Sequence, residues 1–278
     1  MFARLLVLIA VVGLGVFGLG LILTFLGYAR NVGDRKYSEN NIRQIGFAMM
    51  HCTDPGSVIK PESIDYFPSG TLPNPALKRD ERLSLYAYFV HSLDRTTENA
   101  NFDEKTGMTK LWSQIDKDQK WNLGSNRELA TQKAKHLIVP ATKKPVTAEG
   151  FAITNYVANG GLENGAALPK WNSEQLRGLF EPDIKTPYVE VKDGLAQTIA
   201  FLETDFFTGP WLQGGPSTLR TWKRDQSVYL GPSSDLGGIH LDGVYAAMAD
   251  GRAHFLTWKT DPRIFRSLLT IDSTEEPE

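Results

Sequence analysis

A long uncharged stretch near the N-terminus limits the folds open to this chain. From Leu5 to Leu26 the sequence contains no charged residue, and Thr24 is its only polar side chain. As a helix, this run of about 22 residues would measure roughly 33 Å, enough to cross a hydrocarbon core of about 30 Å. A single segment inside lipid must satisfy its own backbone hydrogen bonds, which favours a helix. We therefore expect a transmembrane anchor at residues 1–30, with the lipid bilayer contacting residues 5–26.

A cleaved signal peptide is the alternative interpretation of this segment. Signal peptides have a shorter apolar region of about 7–15 residues, followed by a small-x-small cleavage site. The run here is longer, and Gly27-Tyr28-Ala29-Arg30 matches such a site poorly. The sequence therefore favours an uncleaved anchor. Its glycines are either ordinary membrane-helix glycines or a packing face for another membrane helix; they are Gly13, Gly15, Gly18 and Gly20.

An amphipathic helix is expected to extend the anchor over residues 31–54. Ile42, Ile45 and Met49 recur at steps of three and four, which places them on one apolar stripe. The segment Asn31-Val32-Gly33-Asp34 is the one place where the two helices could separate. We expect a single ectodomain over residues 55–272, followed by a disordered acidic tail at residues 273–278.

Composition excludes several functional classes. The chain has 278 residues, with 30 basic against 32 acidic side chains, so it is not a generally basic nucleic-acid binder and we expect no nucleic-acid partner. A single cysteine, Cys52, excludes an intramolecular disulfide and a thiolate-rich zinc site.

Strand-like segments, rich in β-branched and aromatic residues, are predicted at residues 136–139, 151–157 and 197–202.

The clearest local signal lies near the C-terminus, where Asp250-Gly251 separates two strand-like runs. Asp-Gly is typical of the two-residue type I′ turn, because both central residues need a positive φ. Such a turn predicts that Ala247 faces His254 and that Tyr245 faces Leu256. One face of the hairpin is then apolar, and we expect it to lie on the long N-terminal helix. That face comprises Val244, Ala246, Met248, Ala253 and Phe255.

Five sequence blocks, in order, resemble the signatures of a known family. They are Asn40-Asn41-Ile42-Arg43-Gln44-Ile45-Gly46, then Trp112 to Asn122, then Asn155 to Gly161, then Asp193 to Glu203, and finally His240, nine residues, Asp250-Gly251 and the Asp261-Pro262 helix start. In that last block Asp261 is expected to cap the helix and Pro262 to occupy its first position. Each block alone is weak, but their order is specific. On these blocks the chain resembles the domain-of-unknown-function 1559 family, which is abundant in planctomycete-type bacteria.

The resemblance implies an α+β fold of the type IV pilin or pseudopilin kind. In that fold a long N-terminal helix, partly in the membrane, backs an antiparallel sheet. Pilin-like domains are generally exported, which favours an extracytoplasmic ectodomain, although Arg30, Arg35 and Lys36 after the span favour the cytoplasmic side. The prepilin leader Gly-Phe-Thr-Leu-x-Glu, typical of the family, has no counterpart before Leu26. The residues we assign to a structural motif are Asn40, Asn41, Gln44, Gly46, His240, Asp250, Gly251, Asp261 and Pro262.

No catalytic motif is evident, and we predict no catalytic residue, cofactor or metal. The best metal candidate combines His240 and Asp242 with Asp250 and His254. In the predicted hairpin register, however, His240 and His254 would lie roughly 23 Å apart along the sheet. Glu203 and Asp205 sit at strand spacing and could form an acid/base pair, but an exposed acidic edge is the simpler interpretation.

Three functional hypotheses follow. The leading one is a membrane-anchored, pseudopilin-like protein with a structural or interaction role, as a scaffold or a surface or secretion component, whose partners would include other membrane helices or pilin-like proteins. The second is a solute-binding module with a pocket lined by residues 159–162 and 214–220. The third is an enzyme, which requires Glu203, Asp205, His240 and His254 to meet in a cleft.

Overall fold

The computed structural model describes residues 2–50, 66–88, 93, 114–163, 176–224, 226–232, 234–237 and 239–273. The helices of this part of the chain are α1 (Phe2–Met50), α2 (Gly124–Thr131) and α3 (Pro262–Leu269). Its strands are β1 (Tyr66–Phe67), β2 (Tyr156–Glu163), β3 (Leu176–Arg177), β4 (Thr186–Pro187), β5 (Ile199–Glu203), β6 (Leu219–Lys223), β7 (Gly243–Met248) and β8 (Ala253–Thr257).

The first helix, α1, runs without interruption for 49 residues and does not break near Gly33. It is the one helix in the described ranges that is long and apolar enough to cross a membrane, and its most apolar window has a mean hydropathy of 2.0 with none of it buried. Burial begins beyond this window, and Ile42, Ile45 and Met49 are fully enclosed. The predicted apolar stripe is therefore confirmed. The predicted end of the extension, at residues 51–56, lies outside the described residues.

A six-stranded sheet forms the centre of the domain, with strand order β3-β2-β5-β7-β8 and β6 paired to β2. All of these pairings are antiparallel except β2 with β6, which is parallel. β1 and β4 form a separate two-stranded pair. The strand predicted at residues 197–202 corresponds to β5, and the one predicted at 151–157 overlaps the start of β2. The strand predicted at 136–139 is wrong, because Lys135–Leu137 is a 3-10 helix.

The sheet buries both of its faces. One face packs on α1, where Phe201, Tyr245 and Ala247 join Ile42 and Ile45 in one apolar cluster. The opposite face packs on α3, where Val157, Leu202, Val244 and Met248 join Phe265 and Leu269. The domain is therefore a three-layer α+β arrangement with the sheet between a long and a short helix.

The β7–β8 hairpin differs from the predicted one by a single residue. Ala246 pairs with His254 and Tyr245 with Phe255, and Met248 N–H donates to the carbonyl of Arg252 at 2.8 Å. The loop thus has three residues, and only Gly251 has a positive φ, at 84°. This is the type I turn followed by a left-handed glycine, not the predicted type I′ turn.

The shift of one residue changes which residues of β7 share a face with those of β8. Ala253 and Phe255 lie on the α1 side as predicted, but their neighbours there are Tyr245 and Ala247, whereas Val244, Ala246 and Met248 pack with α3. The hairpin does lie on the N-terminal helix, and the predicted face is correct for β8 and wrong for β7.

The last helix, α3, begins as the sequence predicts. The Asp261 carboxylate accepts a hydrogen bond from the backbone N–H of Arg263 at 2.7 Å, and Pro262 occupies the first turn. Phe265 and Leu269 on its inner side are buried. The cap therefore fixes where the helix starts, and the apolar stripe fixes which side meets the sheet.

Candidate functional site

Four residues of the predicted structural motif lie at the interface between α1 and the sheet, whereas Asp261 and Pro262 begin α3 on the opposite face. Asn41 and Gly46 lie on the sheet-facing side of α1, while His240 and Gly251 lie at opposite ends of β7. Glu203 at the end of β5 joins them, because it is two residues beyond Phe201 and side chains alternate along a strand.

Glu203 and His240 form the centre of the site. His240 Nε2 lies 3.2 Å from Glu203 Oε2, and the two side chains are only 4% and 0% exposed. The same carboxylate oxygen accepts a hydrogen bond from the backbone N–H of Tyr245 at 3.1 Å. The imidazole ring meets Tyr245 edge to face, with 5.7 Å between ring centroids. A buried carboxylate is thus held by one imidazole and one backbone amide.

Tyr156 lies beside Glu203 as its direct cross-strand partner in the β2–β5 pair. Burial raises the pKa of the Tyr156 hydroxyl well above its usual range, the negative charge of Glu203 adds to this, and Asn41 and Ser38 of α1 act in the opposite direction. The hydroxyl therefore stays neutral at physiological pH. The side-chain amide of Asn41 donates to the carbonyl of Ile138 at 3.1 Å, which ties α1 to the loop before β2.

Five polar atoms of this interface are buried without a well-aligned hydrogen bond to the described protein: Ser38 Oγ, Asn41 Oδ1, Tyr156 Oη, Glu203 Oε1 and His240 Nε2. We call these five residues the buried polar cluster. Unpaired polar atoms in a dry interior are costly, so such a cluster is retained where it specifies one arrangement of the packed elements. Because neither the carboxylate nor the imidazole is open to solvent, the cluster is suited to holding α1 in one position on the sheet.

Gly46 allows α1 to approach the hairpin at Gly251. A Cβ on Gly46 would lie 2.9 Å from the carbonyl oxygen of Gly251, a distance that real side chains do not reach. Gly251 in turn packs against Met50 of the helix. The Gly46 and Asp250-Gly251 motifs, which are about 200 residues apart in the sequence, therefore form one contact.

The remaining predicted metal candidates do not join His240. Asp242 forms an ion pair with Arg35 at 3.1 Å, and Asp250 pairs with Arg252 at 2.5 Å. His254 is opposite Ala246 and so lies on the α3 side of the sheet, away from Glu203. Among the described residues there is no group of three or more His, Cys, Asp or Glu side chains that could hold a metal ion.

Of the four residues in the enzyme hypothesis, the structure brings Glu203 and His240 together and leaves Asp205 and His254 apart from them. Glu203 and His240, which the enzyme hypothesis needed close together, are adjacent, but they are enclosed instead of lining a cleft. Asp205 lies beyond the end of β5, so strand alternation no longer sets its direction, and it is exposed. His254 is exposed as well. These four residues therefore do not form a solvent-accessible catalytic group.

Two asparagines that the sequence analysis did not single out hold the sheet to its surroundings. Asn155 accepts from the backbone N–H of Val139 at 3.0 Å and donates to the carbonyl of Thr204 at 3.1 Å. Asn159 donates to the carbonyls of Ile199 and Leu269 at 2.8 and 2.9 Å. Both side chains are fully buried. The sequence carried a signal for them, because two asparagines four residues apart in an apolar, strand-like run would be buried, and burying a side-chain amide is costly unless it is hydrogen-bonded.

Of the two loops proposed to line a solute pocket, residues 159–162 are instead part of β2 and residues 214–220 lead into β6, and the chain uses both for its own contacts. Arg220 donates to the carbonyls of Pro216, Phe206 and Phe207 at 2.7–2.9 Å, and burial lowers the pKa of its guanidinium to about 10. Gly161 and Gly178 approach each other so closely that a Cβ on Gly178 would lie 2.2 Å from the backbone nitrogen of Gly161. The polar groups and backbone of these segments are therefore occupied by contacts within the protein, whereas a solute site needs polar groups that are free and converge on a pocket.

Comparison of the chain with protein-family models, with curated proteins and with solved structures finds no match.

Proposed function

We propose that this protein is a single-pass, membrane-anchored, pilin-like protein with a structural or interaction role. The observation that carries the proposal is the division of α1 into two parts. The apolar segment that begins at Val12 is unburied, while the later part of the helix, which contains Ile42, Ile45 and Met49, forms the helical layer behind the sheet. A domain built on the same helix that enters the bilayer is held at a fixed distance and direction from the membrane, which suits a scaffold or a surface or secretion component.

The exposure of the apolar part supports a membrane location. Leu14, Val16 and Ile22 are each more than half exposed, and at about 100° per residue they lie on different sides of the helix. A soluble monomer rarely shows contiguous apolar patches of more than a few hundred Å². The helix is apolar all round in this segment, which is typical of a membrane span.

The motif geometry supports a structural role. Gly46, Gly251, Asn41 and His240 lie at the contact between helix and sheet, where they contribute packing and buried polar contacts. This is the arrangement that the family resemblance implies, in which a long helix backs a mainly antiparallel sheet. The resemblance also favours an extracytoplasmic ectodomain.

Membrane fractionation of the full-length protein tests the anchor. We expect the intact chain to stay with membranes in high salt and alkaline carbonate and to be released by detergent. The variant Leu14→Arg/Leu21→Arg should weaken insertion, since one Arg near the centre of a span costs about 2.5–3.5 kcal/mol. Tyr37→Arg is the matched control, because Tyr37 is equally exposed but lies beyond the apolar run. Release of the unmodified full-length chain by salt alone would contradict the proposal.

Cross-linking in the membrane tests the interaction role. With Cys52 replaced by Ser, a cysteine at Gly18 should give disulfide-linked species if the bare part of α1 packs on another membrane helix, because small residues allow close approach. A cysteine at Phe25 provides a comparison at a bulky position. Monomeric protein at both positions, with insertion intact, would remove helix–helix packing from the proposal. A reporter fused to the C-terminus identifies the side of the membrane.

A further inference from the structure

The contacts of α1 identify which end of the domain faces the membrane. Arg35 on α1 pairs with Asp242 just before β7 begins, and its guanidinium lies 4.2 Å from the centre of the Phe255 ring. Further along the helix, Gly46 packs on Gly251 at the opposite end of β7. Since the apolar part of α1 precedes Arg35, the Asp242 end of the sheet is the membrane-proximal end.

Two loops lie at this end with large apolar side chains exposed. Leu241 directly precedes Asp242 and is 84% exposed. The loop after β5 carries Phe206 and Phe207, and Phe207 is 73% exposed. This loop lies at the same end, because β5 is antiparallel to β7 and its last residue, Glu203, therefore lies near the start of β7. The start of β2 lies opposite Glu203, and Gly209 in the loop accepts a hydrogen bond from the backbone N–H of Thr154 just before β2.

The protein holds these side chains outward by specific contacts. Phe207 has a φ of 49°, and it is the one non-glycine in the described ranges with a positive φ. The buried guanidinium of Arg220 donates to the carbonyls of both phenylalanines, which maintains this strained backbone. At the second loop, the indole N–H of Trp258 donates to the carbonyl of Leu241 at 2.7 Å. Strain that is maintained to expose an aromatic ring indicates a use for that ring.

Positive charge accompanies these residues. Lys143 and Lys144 are both exposed, and Lys143 lies close enough to Asp205 to lower the pKa of that carboxyl against the larger effect of burial. Their loop is fixed at the membrane-proximal end, because Thr142 donates to the side chain of Asn155, next to the start of β2.

We propose that these five residues form a lipid-contacting surface on the ectodomain, which we call the proximal patch: Phe206, Phe207, Leu241, Lys143 and Lys144. Aromatic and aliphatic side chains at the interface, together with lysines, are the composition by which proteins bind the surface of anionic bilayers. The inference rests on the proposed anchor. It adds a second attachment, made by the folded domain to the headgroup layer, which would orient the domain on the bilayer surface.

The length of α1 permits this contact. Every residue from Leu19 to Gly33 is exposed, and Asp34 is the first to be partly covered by the domain. From Leu26 to Asp34 the helix rises about 12 Å, while the headgroup layer extends about 5–7 Å beyond the hydrocarbon core. Projecting side chains and an ordinary helix tilt of about 20° are sufficient to close the remaining few ångströms.

An environment-sensitive fluorophore on single cysteines tests the proximal patch. Full-length protein with Cys52→Ser is labelled at Phe207→Cys or, separately, at Leu241→Cys and reconstituted into phosphatidylcholine vesicles with or without phosphatidylserine. We expect a blue shift and protection from an aqueous quencher at both positions, stronger with phosphatidylserine. Val189→Cys is the control, because Val189 is equally exposed but is next to Glu190, which pairs with Arg177 near the far end of β2.

Charge removal provides the second readout. With the label at Leu241, the change Lys143→Gln/Lys144→Gln should shift the ratio of lipid-contacting to free domain about fivefold per lysine in anionic vesicles, and little in neutral ones. A third label at Gly18→Cys reports the anchor. If Gly18 is protected while Phe207 and Leu241 are quenched as readily as Val189, the proximal patch is refuted and the anchor stands. If the Gly18 label is itself quenched, the anchor fails as well.

Discussion

A Cβ on Gly46 would lie 2.9 Å from the carbonyl oxygen of Gly251, so the close approach of the long helix to the terminal hairpin requires glycine at position 46. Gly46 lies mid-helix, where glycine is unfavourable by about 0.5–1 kcal/mol relative to alanine. The cost is offset only by what the close contact permits. Next to it, Ile45 and Met49 are buried against the sheet.

The change Gly46→Ala should therefore destabilise the domain despite improving helix propensity. The added methyl group meets backbone atoms of Gly251, which cannot rotate away, and overpacking of this kind costs about 1–3 kcal/mol. Urea unfolding of the full-length protein in mild detergent, followed by tryptophan fluorescence, measures the free energy of unfolding. Gly33→Ala is the matched control, because a Cβ at Gly33 meets nothing within 4 Å and should be neutral or stabilising. Equal effects of the two changes would contradict this account.

Removing His240 should destabilise the domain. His240→Ala leaves the Glu203 carboxyl group buried with only the Tyr245 amide as a partner, and removing one partner of a buried polar pair costs about 1–3 kcal/mol. A double-mutant cycle with Glu203→Gln measures the coupling. We expect the double variant to lose clearly less stability than the sum of the single changes. Additive losses would show that the two side chains act independently.

Asn155→Ala should destabilise the sheet although it removes no apolar contact. The change leaves the backbone N–H of Val139 and the carbonyl of Thr204 buried without their partner, at about 1–3 kcal/mol for each group. Hydrogen exchange measures the effect locally, since the amide of Val139 should lose protection. Thr142→Val is a control within the same contact, because it removes a hydroxyl that donates to Asn155 but leaves the two backbone bonds in place. An unchanged exchange rate at Val139 would contradict the prediction.

The long elements could be predicted from local sequence, because their signals are strong and local. The apolar run and the stripe at Ile42, Ile45 and Met49 predict a helix that enters a membrane and then packs on a core, and α1 has this division. The Asp261-Pro262 start of α3 is equally local. In both cases the residues that decide the structure lie within a few turns of one another.

The hairpin register could not be predicted in the same way. Asp-Gly suits both a two-residue type I′ turn and a three-residue loop in which Gly251 alone is left-handed, and the flanking residues do not distinguish them. What distinguishes them lies far away in the sequence. The register observed places Tyr245 and Phe255 beside His240 and Arg35, and it places Val244 and Met248 on α3.

The contact at the polar centre of the interface has no local sequence signal, for a related reason. The sequence offers Glu203 and His240 as two of four candidate residues for a cleft, but Asp205 lies beyond the end of β5 and His254 lies on the other face of the sheet. The contact between Glu203 and His240 is made across the sheet and a loop, so no spacing along the chain indicates it.

Asp205 should make stability depend on pH. Although Asp205 is exposed, neighbouring protein atoms partly desolvate its carboxyl and raise the pKa, Lys143 opposes this, and the charge of Glu203 adds to the rise. Because water screens an exposed carboxyl, the effect on stability is small. A carboxyl with a raised pKa in the folded state contributes most to stability below its unfolded pKa of about 3.9, and this contribution is lost as the pH rises through the folded value. Asp205→Asn should therefore raise the melting temperature at pH 7 relative to the parent and have little effect near pH 3. The same difference between the two proteins at both pH values would contradict this.

Gly251 provides a test of the hairpin geometry that separates backbone strain from side-chain packing. Its φ of 84° is unfavourable for alanine by about 1 kcal/mol, whereas asparagine tolerates the left-handed region better. A Cβ at this position would meet Gly46 and Met50 no closer than 3.5 Å, which is ordinary contact. We therefore expect Gly251→Ala to destabilise the protein and Gly251→Asn to do so less, although asparagine is larger.

If the two-residue turn formed instead, Asp250 would also need a positive φ, and Asp250→Gly would then stabilise the protein. With the three-residue loop, Asp250→Gly should destabilise it, because it adds backbone freedom and removes the carboxylate that accepts from the backbone N–H of Arg252 at 3.0 Å.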